Sequence, residues 1–215
     1  MDFDQARFNM VEQQIRPWDV LDPLVLTLFS EVPRHHFVLP EQAALAYSDY
    51  ALPIGHQQTM LAPKVEARLL QGLGPCADEH ALEIGTGSGF HTALLASACA
   101  SVTTVEIHQD LQQRAQARLK DFDNITFALG DAHQSWHPEQ TYDLILITGA
   151  VPSVPDSYLQ QLSLGGRLAV ISGHRPVMQA QIITRVSDQE WTYEGLFETE
   201  IDYLENAHPQ PTFQF

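Results

Sequence analysis

The sequence predicts an α/β fold in which a doubly wound, mostly parallel seven-stranded sheet carries a helical N-terminal extension. From residue 80 onward, short apolar runs alternate with helical segments, which is typical of βαβ units. Residues 142–148 are almost continuously apolar, as a central parallel strand is. A length of 215 residues suits one such domain plus an extension. We therefore expect a helical cover over residues 1–63, the sheet-bearing core over 64–205 and an extended tail over 206–215.

The first 73 residues predict helices separated by irregular segments. Phe8, Val11 and Ile15 recur at helical spacing, and the pair Asp22-Pro23 suits the N-cap and first turn of the next helix. In order, the predicted elements are a helix over 3–15, a helix over 23–31, a turn over 32–37, a short helix over 40–47, a loop over 53–63 and a helix over 63–73.

In the expected core, the sequence predicts strands that alternate with helices. In order, its expected elements are a strand over 80–84, a helix over 89–98, a strand over 101–106, a helix over 109–120, strands over 125–129 and 142–148, a helix over 155–162 and a strand over 167–172. Gly165 and Gly166 are expected to end the last of these helices. Residues 177–203 predict two long strands joined around 187–190, which gives the sheet a mixed edge.

Residues 81–89 read Ala-Leu-Glu-Ile-Gly-Thr-Gly-Ser-Gly and predict a buried strand that ends in a glycine turn before a helix. Such a turn holds a nucleotide-like cofactor by its backbone. A dinucleotide pattern would place its third glycine at position 90, which is not glycine here. Residues 69–113 contain no Lys or Arg to pair with a pyrophosphate, and Glu83 adds an acid. We therefore expect S-adenosylmethionine, whose sulfonium and ammonium groups are positively charged.

Two further strand ends carry acids. Glu106 ends the strand over 101–106 and lies 21 residues after Gly85, near the spacing of about 20 typical of a ribose-binding acid. Asp131 follows the strand over 125–129. We expect Glu106 to bind the ribose hydroxyls and Asp131 to accept from the adenine amino group, with a solvated loop or a helix N-cap as the simpler alternative for both.

Composition and charge limit the kinds of partner that the protein is expected to bind. The formal net charge is −16 and the 11 Lys and Arg are scattered, which argues against nucleic acid and an anionic membrane surface. No run approaches the ~18 apolar residues of a membrane span. The acidic N-terminus is unlike a secretory signal, and Cys76 and Cys99 match no metal or redox spacing. We expect a cytoplasmic monomer or weak homodimer that binds neither nucleic acid nor membrane.

Two other kinds of site have little support. His133 and His137 are four residues apart, but the neighbouring Pro138 indicates a loop and no ligand pattern accompanies them, so we expect no metal. Ser88 lacks the Gly-x-Ser-x-Gly spacing of a hydrolase nucleophile, and we expect it to cap the following helix.

Several motifs occur together along the chain. Residues 10–16 read MVEQQIR, residues 32–38 read VPRHHFV, residues 53–63 read PIGHQQTMLAP and residues 82–89 read LEIGTGSG. Thr148 with the following Pro152, and GGRL at 165–168, extend the pattern. In this combination the chain resembles the protein-L-isoaspartate O-methyltransferase family from about residue 8 to residue 175. The resemblance implies a Rossmann-like methyltransferase core.

The resemblance also implies an activity and a set of site residues. The methyl donor would be S-adenosylmethionine, and the acceptor would be the carboxylate of an isoaspartyl residue in a damaged protein or peptide. The resulting ester can collapse to a succinimide, which is the repair step. By matched position, the cofactor-binding residues are Glu83, Gly85, Thr86, Gly87, Gly89, Glu106, Ile107, Asp131, Ala132 and Thr148. The catalytic positions are Thr59 and Leu61, and the substrate-binding residues are Val32, Pro33, His36, His56 and Gln58.

Two positions depart from the family pattern. Leu61 stands where the family has a hydroxyl that donates to the acceptor carboxylate, and Ala132 stands where the family tends to have glycine. The loss of one donor slows the transfer without forbidding it, and Thr59 can supply a hydroxyl if the loop shifts. Two alternatives therefore stay open: a methyltransferase with a different, less polar acceptor, such as a small molecule, or a cofactor-binding protein without turnover.

Overall fold

The computed structural model describes residues 2–209, which contain six α-helices and nine β-strands. The helices are α1 (Phe3–Met10), α2 (Pro23–Glu31), α3 (Pro63–Leu73), α4 (Phe90–Ala98), α5 (Gln109–Arg118) and α6 (Asp156–Gln160). The strands are β1 (Leu52–Gly55), β2 (Gln58–Met60), β3 (His80–Ile84), β4 (Ser101–Glu106), β5 (Ile125–Leu129), β6 (Tyr142–Ile147), β7 (Leu162–His174), β8 (Val177–Ser187) and β9 (Glu190–Thr199).

Seven of the strands form one sheet in the order β5-β4-β3-β6-β7-β8-β9. The pairings from β5 to β7 are parallel, and β8 and β9 add an antiparallel edge. The predicted doubly wound, mostly parallel seven-stranded sheet is therefore confirmed. The hairpin predicted within 177–203 is present as β8 and β9 and ends at Thr199. The strand order reverses between β3 and β6, and in open α/β sheets ligands bind at such a switch point.

The central strands are buried on both faces because their side chains alternate between two cores. Leu144 and Leu146 pack in the larger core, which includes the N-terminal helices, while Ile145 and Ile147 pack in the smaller core on the other face. The nearly continuous apolar sequence of β6 reflects this arrangement. Because the N-terminal helices share the larger core with α4, they lie against the sheet. The division of the chain at residues 63 and 205 remains a prediction.

The N-terminal helix is longer and less regular than predicted. The α1 helix continues as a π-helical segment over Val11–Ile15 and a 3-10 turn over Arg16–Trp18, so that Pro17 lies inside the helical run. Proline fits there because it occupies the first turn of the 3-10 segment, where its missing N–H has no helical partner. The segments at Arg34–His36 and Pro40–Leu45 are also 3-10 helices.

Two predictions about local structure are wrong. Residues 53–63, predicted as a loop, contain the β1–β2 hairpin. The strand expected from residue 167 begins at Leu162, so Gly165 and Gly166 lie within β7 instead of ending a helix. Gly165 has a φ of +82°, and the β6–β7 register shifts beside this pair, which indicates that the glycines allow an irregular strand.

Of the predicted tail, residues 206–209 are described and are not helical, whereas residues 210–215 lie outside the described residues. Among residues 2–209, no helix combines the length and the apolar character needed to cross a bilayer.

Candidate active site

A cavity lies at the carboxyl ends of the parallel strands. Its wall contains residues 84–88 at the end of β3, residues 105–108 at the end of β4, residues 130–133 after β5 and residues 148–149 after β6. The connections that follow parallel strands meet at one edge of the sheet, which is why these four segments converge. The cavity therefore occupies the predicted cofactor position.

The glycine turn is formed by backbone that a side chain would obstruct. Gly85 and Gly87 have φ angles of +93° and +53°, which favour glycine. A Cβ at Gly85 would collide with the hydroxyl of Thr148. That hydroxyl donates to the carbonyl oxygen of Gly85 at 2.8 Å and to that of Ile84 at 3.0 Å. Thr148 therefore ties the end of β6 to the turn.

The carboxylate of Glu106 is fixed by three backbone N–H groups. Its Oε2 accepts from Gly87 at 2.8 Å, and its Oε1 accepts from Ile107 at 3.0 Å and from His108 at 3.1 Å. The side chain is 4% exposed. A carboxylate offers about four acceptor positions, so capacity remains for a hydroxyl in the cavity. This geometry suits the predicted ribose contact.

Asp131 lies on the wall after β5 and is held as an anion. Burial opposes its ionisation, but hydrogen bonds from His133 and Asn206 outweigh burial and keep the pKa of this carboxyl below its usual range. The His133 N–H donates at 3.1 Å, and the Asn206 amide donates at 2.8 Å. Ala132 and Thr86 are buried beside the cavity and also belong to its wall.

Two predicted cofactor residues do not line the cavity. Glu83 is buried beneath it, where its Oε2 accepts from the hydroxyls of Thr92 and Thr104 at 2.5 and 2.6 Å. Burial raises the pKa of Glu83 to about 8, against those hydrogen bonds, so the carboxyl is largely protonated at pH 7 and adds little negative charge. Gly89 is the N-cap residue before α4, has a φ of +85° and faces Ala115 instead. In this structure both residues support the glycine turn from outside the cavity, and a cofactor contact by either one stays a prediction.

One side of the cavity is formed by the β1–β2 hairpin and the segment after β9, and it is called the acceptor side because the resemblance predicts the methyl acceptor there. Gln58, Thr59 and Leu61 line it, and Leu61 is 6% exposed. The Thr59 hydroxyl donates to Asp202 at 3.3 Å. Backbone hydrogen bonds between Ala150 and residues 202 and 204 place the C-terminal segment here. Thr59 and Leu61 therefore belong to the cavity wall, and their role in methyl transfer stays a prediction.

The other predicted substrate residues lie away from the cavity wall. His56 is at the hairpin turn, where its Nε2 lies 2.8 Å from Asp110 Oδ1 and its ring stacks on His108 at 3.7 Å. Val32, Pro33 and His36 flank the buried Arg34 and do not line the cavity. A direct substrate contact by these four residues stays a prediction.

Arg34 links their segment to the site from behind. Its guanidinium forms a buried ion pair with Glu66, which lines the cavity, and donates to the Leu61 carbonyl oxygen at 2.5 Å. Burial raises the pKa of Glu66, and the guanidinium opposes that rise. Because the guanidinium also binds the Leu61 carbonyl oxygen, Arg34 of the 32–38 motif supports the backbone of the segment that contains Thr59 and Leu61.

Sequence reasoning missed several wall residues. They are Glu66, His91, His108, Asp202, Leu204 and Glu205. His91 is buried, and burial together with the Arg34 charge lowers its pKa to about 3, so the imidazole is neutral. The sequence could have indicated His91, because it is the second residue of the helix that follows the glycine turn, and the start of such a helix faces the ligand. The C-terminal residues gave none, because they reach the site only through long-range pairing.

The charge of the cavity follows from these positions. Five acids line it, namely Glu66, Glu106, Asp131, Asp202 and Glu205. Among the wall residues within 2–209 there is no Lys or Arg. Two of the five acids are paired with arginines outside the wall, Glu66 with Arg34 and Asp202 with Arg175, and the remaining acids favour a cationic ligand over a pyrophosphate. In the same part of the chain, no three His, Cys, Asp or Glu side chains are grouped as a metal ion would require.

Comparisons with known proteins agree with this geometry. Residues 6–203 match the family model described as Protein-L-isoaspartate(D-aspartate) O-methyltransferase (PCMT). The chain is 38% identical over 188 residues to a protein-L-isoaspartate O-methyltransferase of Syntrophus aciditrophicus, covering 86% of each chain. It is 38% identical over 196 residues to that of Trichlorobacter lovleyi, covering 90% of each.

Solved structures show the same fold. A structure described as a protein-L-isoaspartate O-methyltransferase of Plasmodium falciparum, in complex with S-adenosyl-L-homocysteine, superposes with a TM-score of 0.80 at 18% identity, covering 95% of this chain and 99% of that one. Taken with the family model and the sequence relatives, the conclusion is direct: this chain belongs to the protein-L-isoaspartate(D-aspartate) O-methyltransferase family.

Proposed function

We propose that this protein transfers a methyl group from S-adenosylmethionine to the carboxylate of isoaspartyl residues in damaged proteins. The observation that carries the proposal is the glycine turn at 85–88, joined to Glu106 through the Gly87 N–H and facing an acid-lined cavity. Family membership supports the same activity. The predicted partner is therefore a damaged protein or peptide.

The residues present fit the cofactor. Gly85 and Gly87 give room for close approach of its methionine part, and Glu106 has a free acceptor position for the ribose. Asp131 stays ionised beside Ala132 and would accept from the adenine amino group. When bound, the cofactor supplies an electrophilic methyl group on a positively charged sulfur. The wall acids Glu106 and Asp131 would stabilise that positive charge.

The acceptor needs positioning more than it needs a base. A carboxylate is already ionised at pH 7 because its pKa is about 4. The enzyme therefore has to hold one oxygen in line with the methyl group and exclude water. Leu61 is apolar and donates no hydrogen bond, whereas the Thr59 hydroxyl lies two residues away on the same wall. We assign the donor role to Thr59.

The proposal is tested by transfer of labelled methyl from S-adenosylmethionine to an isoaspartyl peptide. The matched control is the same peptide with normal aspartate in place of isoaspartate. We expect label in the isoaspartyl peptide alone, released by mild base because the product is an ester. Calorimetry with S-adenosylmethionine tests the cofactor separately. Cofactor binding with no label in either peptide would contradict the acceptor assignment.

A second candidate function has one observation in its favour. Leu61 makes the acceptor wall less polar than a hydroxyl would, which suits a different, less polar acceptor. A chain that binds the cofactor without turnover is the remaining alternative. Transfer to the isoaspartyl peptide by the unaltered protein would reject both.

The other expectations remain predictions. Cys76 and Cys99 are free thiols, as the predicted cytoplasmic location requires. We predict a monomer or weak homodimer, and the net charge of −16 argues against a nucleic-acid partner.

A further inference from the structure

The carboxylate of Asp202 is held by two donors at the acceptor end of the cavity. The Thr59 hydroxyl donates to Oδ2 at 3.3 Å, and Arg175 Nη2 donates to Oδ1 at 2.9 Å. Thr59 and Asp202 both line the cavity, whereas Arg175 reaches the Asp202 carboxylate from outside the wall. The carboxylate of the protein's own Asp202 therefore lies between a hydroxyl and a guanidinium, in the same cavity that Leu61 lines.

These two donors have the chemistry that a carboxylate ligand needs. A guanidinium and a hydroxyl each donate to carboxylate oxygens, and hydrogen bonds to charged groups are the stronger ones. Arg175 is half exposed, and Asp202 is 40% exposed, so both side chains have room to move. A partly exposed ion pair of this kind is weak, which makes exchange of its carboxylate feasible.

We propose that Thr59 and Arg175 form the clamp for the acceptor carboxylate, and that Asp202 occupies this clamp until the acceptor displaces it. This inference rests on the proposed function. On binding, the Asp202 carboxylate turns toward solvent and the acceptor carboxylate takes its two hydrogen bonds, with no covalent change. Thr59 then supplies the donor that Leu61 lacks.

The exchange also gives specificity. Asp202 and the acceptor carboxylate compete for the same two donors, the Thr59 hydroxyl and Arg175 Nη2, so only one of them binds there at a time. A neutral amide competes poorly for a guanidinium that an anion already holds. The clamp therefore selects an ionised carboxylate over the corresponding amide, which distinguishes isoaspartate from asparagine.

Glu200 provides a matched control. It lies 3.4 Å from Arg175 Nε and is as exposed as Asp202, but it does not line the cavity. Glu200→Gln therefore removes an equal negative charge beside the same arginine and leaves in place the two hydrogen bonds that Thr59 and Arg175 donate to Asp202. Asp202→Ala removes the competing carboxylate outright, and Asp202→Asn removes its charge alone.

The experiment measures kcat and KM for an isoaspartyl peptide, and Kd for S-adenosylmethionine, in the wild-type protein and each variant. We expect KM to fall about fivefold or more in Asp202→Ala and to a smaller extent in Asp202→Asn. KM should rise about tenfold or more in Arg175→Gln and change less than about twofold in Glu200→Gln. The cofactor Kd should stay within about twofold throughout.

The outcomes separate this inference from the proposed function. If the wild-type protein methylates the peptide but Asp202→Ala matches Glu200→Gln or raises KM, the clamp is rejected and the function stands. An unchanged KM in Arg175→Gln rejects the clamp as well. If the wild-type protein binds the cofactor but does not methylate the peptide, the function fails and the clamp fails with it. Thermal unfolding of each variant excludes misfolding as the cause.

Discussion

The Oε2 atom of Glu106 accepts a hydrogen bond of 2.8 Å from the backbone N–H of Gly87, so the acid at the end of β4 and the turn after β3 form one unit. The two oxygens of Glu106 together bind three N–H groups. The carboxylate therefore has two roles: it orders the turn, and it presents a negative charge to the cavity.

Glu106→Gln should weaken S-adenosylmethionine binding by about 10- to 150-fold, the worth of ~1.5–3 kcal/mol for a charged hydrogen bond. The amide keeps the size of the side chain but loses the charge, and its NH₂ group faces backbone donors. Isothermal titration calorimetry measures the change. Glu194→Gln, at an exposed position on β9, is the control and should leave the affinity unchanged. Equal affinities for the Glu106 variant and wild type would remove Glu106 from the cofactor site.

Leu61→Ser should raise kcat/KM for an isoaspartyl peptide by about tenfold, because it adds a second donor beside the acceptor carboxylate. It should also lower the free energy of unfolding by ~2–4 kcal/mol, since a buried leucine is lost. Leu61→Ala is the matched control, because it removes the same side chain without adding a hydroxyl. Steady-state kinetics and urea denaturation report the two effects. A gain that Leu61→Ala reproduces would mean that space, not the hydroxyl, limits the reaction.

The parts of the site that lie on parallel strands could be predicted from the sequence. Each of β3, β4 and β5 ends in a turn or acid that stands next to an apolar run, so the local pattern contains both the strand and its functional residue. Parallel pairing then brings these ends together without further information. Gly85, Glu106 and Asp131 were found in this way.

The parts of the site that could not be predicted from the sequence depend on unusual turns or on pairing between residues that are far apart in the chain. The β1–β2 hairpin turns through His56 and Gln57, both with φ above +50°, whereas such turns normally use Asn or Gly. Asp202 reaches Thr59 across 143 residues because the neighbouring Tyr203 forms an isolated bridge with Ala150. Neither feature has a local pattern that predicts it.

The burial of Glu83 was also hidden from the sequence. The sequence pattern of an acid before a glycine turn is equally compatible with a charged side chain in the cavity and with a neutral side chain buried beneath the cavity. Only the position of Thr92 and Thr104 around the side chain decides between them. Its raised pKa then leads to a prediction about stability.

Glu83→Gln should stabilise the protein more at pH 8 than at pH 5. The folded carboxyl has a pKa of about 8, while its ordinary value is 4.5. The proton that the folded state keeps stabilises it fully below pH 4.5, and this contribution is lost as the pH rises from 4.5 to 8. Glutamine does not titrate and avoids that loss. The difference in unfolding free energy between variant and wild type should grow by at least ~1.4 kcal/mol, the worth of one pKa unit. Denaturant unfolding at both pH values measures it, and parallel pH curves would show that Glu83 is ionised in the fold.

Gly89→Ala should destabilise the protein by ~2–4 kcal/mol and leave the cofactor Kd nearly unchanged in the folded protein. Part of the cost, ~1 kcal/mol, comes from the φ of +85°, which disfavours a side chain. The rest comes from crowding, because the new Cβ would lie 3.1 Å from both Ala115 Cβ and Leu119 Cδ1.

Gly165→Ala separates these two causes. Gly165 has a similar φ of +82°, but a Cβ there meets no described atom within 4 Å. It should therefore cost only the ~1 kcal/mol of backbone strain. Urea denaturation of both variants gives the difference directly. If the two costs are equal, α5 gives way without penalty and crowding does not fix the third glycine of the turn. If instead the cofactor Kd rises sharply in Gly89→Ala alone, Gly89 contacts the cofactor after all and the assignment of this residue to a supporting role is wrong.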